Sequence, residues 1–418
     1  MRDGKPNWPW SSDTFEREPG LSLVNWAYGS ATASTCLSPP ACQPLISPIA
    51  AKTIQGRTPF IGHLSNIQIL RGIAAVMVLV YHIGNEFGDR GFPEPLPHFW
   101  MGSAGVDVFF VISGFIMVHS TAEAFARPGA PWLFLARRLV RLAPLYWLIT
   151  TIFVVVALVE ARHTGLAADA PRWFAASYAF LFYPHGDAGD FPLYAQGWTL
   201  NFEMFFYVCF AAVLPFRRTP ALWALVVGFA GLVTLGLVTP LPWPVDRWAN
   251  TNIVEFILGL ALAEVYRRGL RLRATPALLL AAAGFATFAL TIGSVDAWLP
   301  YRGLVWGPPA SAIVAAAALH RPRRGGAVRG ALEALGDASY SLYLVHYAFF
   351  VALGDALSHV VPVERLPAPL YGGLCFCGAI ALAFATYHGV ERPMTWSLNR
   401  AFGLARRWRA PHGGSRRV

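Results

Sequence analysis

Long apolar stretches, separated by short polar connections that carry arginines, repeat along most of the chain. Ten of them can be distinguished: residues 66–88, 103–121, 143–161, 198–216, 221–239, 251–267, 276–293, 303–320, 337–357 and 368–390. Runs of about 17–23 residues have the length of helices that cross about 30 Å of hydrocarbon. The pattern predicts an all-α, polytopic transmembrane helix bundle of about ten spanning helices. A transmembrane β-barrel would instead need alternating segments of about ten residues.

An eleventh apolar stretch, residues 173–183, is short for a crossing. The arginines decide how it is interpreted, because basic loops of membrane proteins collect on the cytoplasmic side. Arginines cluster within residues 137–141, 217–218, 267–273, 321–329 and 400–417. If residues 173–183 do not cross, all clusters fall on one side; if they cross, the clusters from Arg217 onward change sides. We therefore predict an interfacial or re-entrant segment, with both termini cytoplasmic.

Composition agrees with a membrane protein. The 418 residues are 55% hydrophobic and 13% charged, against about 25% charged residues in soluble domains. The net charge of +10 comes from arginines in the connections, which is a topology signal, so no nucleic-acid partner is expected. The five cysteines show no C-x-x-C or zinc-ligand spacing, and we expect neither a disulfide framework nor a metal site.

Three regions are predicted. Residues 1–60 are rich in Pro, Ser, Thr and Ala and lack periodicity, which indicates a mostly disordered cytoplasmic arm. Residues 61–395 form the membrane-embedded domain. Residues 396–418 form a basic cytoplasmic tail.

Two ionisable residues, Arg71 and His82, lie within the first apolar stretch. Such residues are costly in a bilayer and are kept there mostly for function. They are 82 − 71 = 11 positions apart, which at about 100° per residue places both on one helix face, roughly 16 Å apart along the axis. A neutral imidazole in a membrane cavity can take a proton from a hydroxyl. The alternative for His82 is a structural hydrogen bond inside the bundle.

Carboxylates in two other stretches are candidate partners of His82. Glu203 lies early in the stretch that begins at Trp198, and a carboxylate there could fix the histidine's tautomer and stabilise its protonated form. Asp107 lies in Gly105-Val-Asp-Val-Phe-Phe-Val-Ile-Ser-Gly-Phe115 and is a candidate for a buried polar network. A structural ion pair is the alternative for Glu203. The small residues near Asp107 favour close helix packing.

A basic turn, residues 137–144, is predicted at the cytoplasmic mouth. Arg137 and Arg138 fall four and three positions before Arg141, so they can share a face with it. Because arginine forks suit phosphates, a coenzyme with several phosphates could dock there. The alternative is that these arginines serve topology alone.

A late stretch opens with Ser339-Tyr-Ser-Leu-Tyr-Leu-Val-His346. Ser339, Tyr343 and His346 fall at i, i+4 and i+7 and form one polar stripe. A substrate-lining face and an interhelical hydrogen-bond ladder both fit this stripe.

Taken together and in order, these motifs resemble the acyltransferase 3 family of integral membrane acyltransferases. The resemblance covers roughly residues 64–393 and rests on Arg71-x10-His82, the Gly-Val-Asp segment with Asp107, Arg138-x-x-Arg141, Trp198-Thr-Leu-x-x-Glu203, and Ser-Tyr-Ser-Leu-Tyr343-Leu-x-His346. It implies ten helices, an essential histidine and acyl transfer, often of acetyl from acetyl-CoA. The acceptors it implies are hydroxyls of lipopolysaccharide, exopolysaccharide or other surface glycans.

Two features depart from the family pattern. The arm of about 60 residues is absent from the family core. About 25 residues follow the last predicted helix, so no extracytoplasmic SGNH-type domain is expected there. The membrane domain is then expected to act alone or with a separate partner.

The sequence thus favours an O-acyltransferase of the bacterial inner membrane. Acyl-CoA serves as co-substrate, no cofactor is permanently bound, and the lipid bilayer surrounds the domain. His82, Glu203 and Arg71 are the expected catalytic residues, Arg138 and Arg141 the expected coenzyme site, and Asp107, Trp198, Tyr343 and His346 the expected substrate or polar-network residues. His82 could act as general base or as a transient acyl carrier. A transporter and a non-catalytic scaffold or sensor are the alternatives.

Overall fold

The structure is a computed structural model that describes residues 64–92, 100–186, 189–292, 299–321 and 326–404. The predicted N-terminal arm and residues 405–418 of the predicted tail lie outside the described residues. The helices are α1 (Ser65–Asp89), α2 (Gly105–Ser120), α3 (Ala130–Thr164), α4 (Ala170–Tyr178), α5 (Trp198–Val213), α6 (Arg218–Val238), α7 (Val245–Trp248), α8 (Ile253–Arg267), α9 (Ala274–Thr291), α10 (Arg302–Leu319), α11 (Ala327–Asp337), α12 (Ser339–Ser358), α13 (Ala368–Thr386) and α14 (Arg392–Ala401). A π-helical turn, Tyr387–Glu391, joins the last two.

The all-α prediction is confirmed, because the described residues form helices and turns with no strand beyond one isolated bridge, Leu272 to His320. Each of the ten predicted apolar segments contains a helix. Among the described residues, seven helices are long and apolar enough to cross a membrane. The other three predicted segments contain α5, α8 and α10, of 16, 15 and 18 residues.

One end of the bundle, which we call the basic end, gathers the arginine clusters. There Arg138 at the start of α3 donates to Ser120 at the end of α2, 3.0 Å away. Arg218 at the start of α6 pairs with Glu264 near the end of α8 at 2.5 Å. These contacts between helix starts and helix ends show that successive long helices alternate in direction.

Contacts at the opposite end of the bundle give the same alternation. Tyr371, at the start of α13, donates to Glu86, near the end of α1, at 2.8 Å. Arg90, directly after α1, lies 3.9 Å from Asp355 near the end of α12. Helices α1 and α12 therefore run in the same direction, and α13 runs against them.

The stretch predicted to be interfacial or re-entrant, residues 173–183, begins in the short helix α4. It has nine residues, and its Ser177 carbonyl accepts a hydrogen bond from Tyr146 in the interior of α3 at 3.1 Å. The following connection stays inside the bundle, where Gly197 approaches Tyr146 so closely that an added Cβ would lie 2.7 Å from its hydroxyl. Helix α5 therefore starts within the bundle instead of at its surface.

Helix α3 corrects one sequence prediction. Residues 137–144 are helical throughout and form no turn, since α3 begins at Ala130, 13 residues before the predicted start of the third span. Pro131 lies in the first turn, where its missing N–H leaves no helical bond broken. The helix then continues through Pro144. The predicted domain boundary at 395/396 likewise falls inside α14.

Close packing of α2 against α8 depends on glycines. A Cβ on Gly114 would collide with the carbonyl oxygen of Phe256, and one on Gly259 would collide with that of Val111. The packing role predicted for glycines of the Gly-Val-Asp segment is confirmed. The two helices carry Ser113 and Glu255 into the interior.

Candidate active site

Arg71 and His82 both lie on α1, which is helical without interruption from Ser65 to Asp89. The prediction that they share one face of a helix is therefore confirmed, with a rise of roughly 16 Å between them. Both side chains are partly exposed. Arg71 is the nearer of the two to the basic end, and His82 lies toward the opposite end.

The hydrogen-bonding partners of His82 are a carbonyl and a second histidine. Its Nδ1 lies 3.0 Å from the carbonyl oxygen of Val78 and 3.1 Å from Nε2 of His346 on α12. The two imidazole centroids are 4.9 Å apart. His346 is 1% exposed, and its Nδ1 lies 2.9 Å from the carbonyl oxygen of Leu342. One residue predicted for the polar network thus directly contacts the predicted base.

Neither carboxylate that was expected to orient His82 is its hydrogen-bonding partner in the described structure. Glu203 accepts hydrogen bonds from Ser113, at 2.7 Å, and from Tyr207 through the same oxygen. Asp107 accepts hydrogen bonds from Nε and from one terminal nitrogen of the Arg302 guanidinium. The expected direct contact is wrong, because Ser113 and Tyr207 donate to Glu203, and Arg302 donates to Asp107.

Arg71 belongs to a polar cluster nearer the basic end. Its guanidinium donates to Gln68 at 3.3 Å, and Gln68 in turn donates to Asp337 at 2.5 Å. Arg71 also interacts electrostatically with Arg141, Glu391 and Glu203. The predicted catalytic arginine and the predicted coenzyme-binding arginines therefore lie in one neighbourhood.

The arginines of α3 differ in where they point. Arg138 donates to Ser120 at 3.0 Å and lies over the rings of Phe134 and Tyr207, 5.4 Å from each centroid. Arg141, one turn further on, is exposed. Arg137 instead donates to the carbonyl of Leu404, after α14, at 3.0 Å. The spacings of three and four positions in an uninterrupted helix place these arginines on one side of α3, as predicted, but their contacts differ.

Two members of this cluster carried weaker signals in the sequence. Glu391, in the π-helical turn, accepts a hydrogen bond from Ser341 at 2.6 Å and interacts electrostatically with Arg141 and Arg71. Its position before Arg392 and Pro393 suggests only a structural role. Tyr207 lies one helical turn after Glu203, and that i, i+4 spacing is the signal that could have identified it.

Trp198 and Tyr343 link helices. The Trp198 ring packs edge-on against Phe110 and Phe202, with centroids 6.1 and 6.0 Å away. The Tyr343 hydroxyl donates to the carbonyl of Gln196 at 3.1 Å and lies 2.9 Å from the Thr199 hydroxyl. Of the two alternatives for the stripe on α12, Tyr343 therefore shows interhelical hydrogen bonds.

The arrangement offers two kinds of chemistry at two levels along α1. At the basic end, guanidinium groups of α1 and α3 can bind an anion. Further along α1, an imidazole that is not bonded to a carboxylate can accept a proton. Within the described part of the chain, no group of three or more His, Cys, Asp or Glu residues has the arrangement of a metal site.

Similarity to known proteins points to one family. A family model described as an acyltransferase domain, acyltransferase 3, matches residues 64–388. The exopolysaccharide production protein ExoZ of Rhizobium meliloti is 36% identical over 312 residues, which are 71% of this chain and 90% of ExoZ. No solved structure matches.

Two longer relatives also match this chain. The putative peptidoglycan O-acetyltransferase YrhL of Bacillus subtilis is 26% identical over 81% of this chain and 56% of its own length. The O-acetyltransferase OatA of Staphylococcus aureus is 25% identical over 69% of this chain and 51% of its own length. The chain thus spans about half the length of these two relatives. The match over residues 64–388, together with the similarity to ExoZ over most of both chains, shows that this chain belongs to the acyltransferase 3 family.

Proposed function

We propose that this protein is an O-acyltransferase that moves an acyl group, acetyl in the first instance, from acyl-CoA to a hydroxyl of a cell-surface polysaccharide. One observation carries the proposal. Arg71, which interacts with Arg141 of α3, and His82 lie along the same face of α1, at a separation, roughly 16 Å, comparable to the pantetheine arm of coenzyme A. The names of ExoZ and YrhL support a polysaccharide or peptidoglycan acceptor, and those of YrhL and OatA support O-acetyl transfer.

The donor enters at the basic end. Arginine forks bind phosphates through paired, charge-assisted hydrogen bonds, and the exposed Arg141 is open to a ligand there. Arg138, fixed by Ser120, and Arg71, tied to Gln68, extend this site into the bundle. The phosphates of coenzyme A bind Arg138 and Arg141, and the acyl end extends along α1 past Arg71.

The basic end faces the cytoplasm, where acyl-CoA is made, because arginine-rich connections are retained on that side. The protein then lies in the bacterial inner membrane, with both termini cytoplasmic. His82 is on the outer side of Arg71, where a hydroxyl of a surface glycan can arrive.

His82 acts as the base. Its imidazole takes the proton of the acceptor hydroxyl as that oxygen attacks the thioester carbonyl. The new carbon–oxygen bond forms, the carbon–sulfur bond breaks, and the proton passes to the leaving thiolate, so that the products are an ester and free CoA. General base catalysis of this kind contributes about 10²–10⁴-fold to the rate. In the alternative route His82 attacks the thioester first and carries the acyl group transiently.

The test compares His82→Ala with His359→Ala, a control at an exposed histidine directly after α12. Both variants are purified in lipid nanodiscs and given radiolabelled acetyl-CoA with exopolysaccharide, lipopolysaccharide or peptidoglycan fragments in separate reactions. We expect the label to enter one acceptor with the wild type and the control, and with His82→Ala to fall to background. Full transfer by a correctly folded His82→Ala variant would overturn the role of His82. If the wild type transfers no acyl group from acyl-CoA to any of the hydroxyl acceptors, the proposed function is overturned.

A further inference from the structure

Only one of the two ring nitrogens of His82 is hydrogen-bonded within the described residues. One of its two partners is a second imidazole, that of His346. The Nδ1 of His82 faces the carbonyl of Val78 and Nε2 of His346, at 3.0 and 3.1 Å. Within the described residues its Nε2 has no hydrogen-bonding partner. The arrangement of the two rings determines which nitrogen of His82 carries a proton.

The assignment begins at the buried end of the pair. Nδ1 of His346 lies 2.9 Å from the carbonyl oxygen of Leu342. A carbonyl oxygen can only accept, so this Nδ1 carries the hydrogen, and in the neutral ring Nε2 is then an acceptor. Buried polar groups are nearly always hydrogen-bonded, which makes the reverse tautomer, with a lone pair directed at the carbonyl, unfavourable.

The same reasoning extends to His82. Its Nδ1 faces two acceptors, the Val78 carbonyl and Nε2 of His346, so Nδ1 carries the hydrogen. In the neutral ring the lone pair is therefore on Nε2. This is the nitrogen that can take a proton from a hydroxyl or attack a thioester carbonyl.

We propose that His346 is a positioning residue that holds His82 in the tautomer with an unprotonated, reactive Nε2. The inference rests on the proposed function for its catalytic consequence, whereas the tautomer follows from the contacts alone. When His82 accepts a proton at Nε2, its Nδ1–H bond to His346 becomes charge-assisted and stronger. A neutral imidazole thus occupies the place that a carboxylate holds in a Ser-His-Asp triad.

Contacts on both sides of the histidine pair fix the two helices in register. Toward the basic end, Gln68 donates at 2.5 Å to Asp337, which ends α11 two positions before α12 begins. Toward the other end, Arg90 lies 3.9 Å from Asp355. Because α1 and α12 are held above and below the pair, the 3.1 Å contact between the rings is supported by the fold.

The charged groups that surround the pair are already matched with each other. Glu86, one turn beyond His82 on α1, accepts from Arg90 at 2.8 Å and from Tyr371 of α13 at 2.8 Å. Arg302 of α10 is bonded to Asp107 of α2. The other rings near the two histidines are aromatic: Tyr81, Tyr343, Tyr347 and Phe350. Among the described residues, His346 is the one whose side chain is hydrogen-bonded to His82.

Two amide substitutions separate positioning from general packing. In His346→Gln the side-chain oxygen reaches about the position of Nε2 and can accept the Nδ1–H of His82. In His346→Asn the shorter amide reaches only about the position of Nδ1, so it can bond to the Leu342 carbonyl but not to His82. Both variants carry an amide, and they differ in which ring nitrogen of His346 the amide replaces.

The first measurement is steady-state acyl transfer in nanodiscs by wild type, His346→Ala, His346→Asn, His346→Gln and the control His359→Ala. We expect kcat of the Ala and Asn variants to fall about 10–100-fold, as for other residues that orient a functional histidine, with unchanged KM for acyl-CoA. His346→Gln should recover most of the loss. Equal kcat for the Asn and Gln variants, or full kcat for His346→Ala, would overturn the proposal.

The second measurement needs no activity, and it reads the tautomer from the wild-type protein. Nitrogen-15 NMR of histidine-labelled wild-type protein in lipid, with the His82 signals assigned by comparison with His82→Ala, reports which ring nitrogen carries the proton. We expect Nδ1–H with a bare Nε2. A bare Nδ1 would refute the inference even if His82 proves essential, and an inactive wild type with the expected tautomer would count against the proposed function alone.

Discussion

Arg302 and Asp107 form a buried ion pair that joins α10 to α2. The guanidinium Nε lies 3.1 Å from one carboxylate oxygen of Asp107, and a terminal nitrogen lies 2.7 Å from the other. The same terminal nitrogen donates to the Ser103 carbonyl at 2.8 Å, and the guanidinium lies over the Trp306 ring, 4.9 Å from its centroid. Asp107 is 1% exposed. This aspartate therefore stabilises the bundle through Arg302.

Breaking the pair should be costly, because it leaves a buried charge without its partner. We expect Asp107→Asn or Arg302→Gln to lower the free energy of unfolding by about 3–5 kcal/mol. The double variant Asp107→Asn with Arg302→Gln should lose less than the two single losses together. Thermal unfolding in detergent measures this, and additive losses would contradict a direct pair.

Substitution of Arg141 should weaken donor binding. Loss of one charge-assisted hydrogen bond to a phosphate costs about 1.5–3 kcal/mol, so Arg141→Gln should raise KM for acyl-CoA about 10- to 100-fold. Arg137→Gln is the matched control, because Arg137 donates to the Leu404 carbonyl. Its KM should equal that of the wild type. A KM that rises equally in both variants would show a general charge effect.

The glycine contact between α2 and α8 should tolerate no side chain. A Cβ on Gly114 meets the Phe256 carbonyl, and overpacking of this kind costs about 1–3 kcal/mol. We expect Gly114→Ala to lower the unfolding temperature. Gly228→Ala is the control, because nothing lies within 4 Å of an added Cβ on α6. Equal behaviour of the two variants would argue against the observed helix approach.

The connection around α4 should depend on pH through Asp169. His185 Nδ1 lies 2.9 Å from this carboxylate, and the hydrogen bond lowers the pKa of Asp169 below its ordinary value of 3.8. A lowered pKa means that the contact stabilises this region above about pH 3.8 and that the stabilisation is lost as pH falls below it. Hydrogen exchange near α4 should be faster in Asp169→Asn than in wild type at neutral pH. The two should converge only in strong acid.

The proposed orientation predicts which surfaces a membrane-impermeant thiol reagent can reach. In a variant without its native cysteines, Leu166→Cys and Val360→Cys should react in intact spheroplasts. Phe216→Cys and Val328→Cys, at exposed positions of the basic end, should react only after permeabilisation. Reaction of Phe216→Cys in intact spheroplasts would mean that the segment around α4 crosses the membrane.

Local patterns predict local features of this fold well. Each apolar stretch contains a helix, because burial in lipid requires every backbone group to be bonded within its own segment. Apolarity does not mark where a helix begins outside the lipid. Helix α3 starts at Ala130, well before its apolar part, because backbone hydrogen bonds form as readily in its basic first turns. For this reason the residues predicted to form a basic turn lie on the face of a helix.

In the candidate site, too, the sequence predicted the local features but not the contacts between helices. Helical periodicity places Arg71 and His82 on one face of α1, and Arg138 and Arg141 on one face of α3, because each pair lies within a few turns of one helix. The carboxylates could not be assigned by spacing. Glu203 contacts Ser113, which is 90 positions away along the chain.

The sequence by itself determined the membrane helices, the face shared by Arg71 and His82, and the family, since these depend on composition, period and motif order. Only the tertiary structure decided what orients His82. Its partner, His346, is 264 positions away, and a contact between two separate helices depends on how α1 and α12 pack and on the contacts that hold their register. A carboxylate and an imidazole are equally compatible with the spacing in the chain, and packing brings the imidazole to hydrogen-bonding distance.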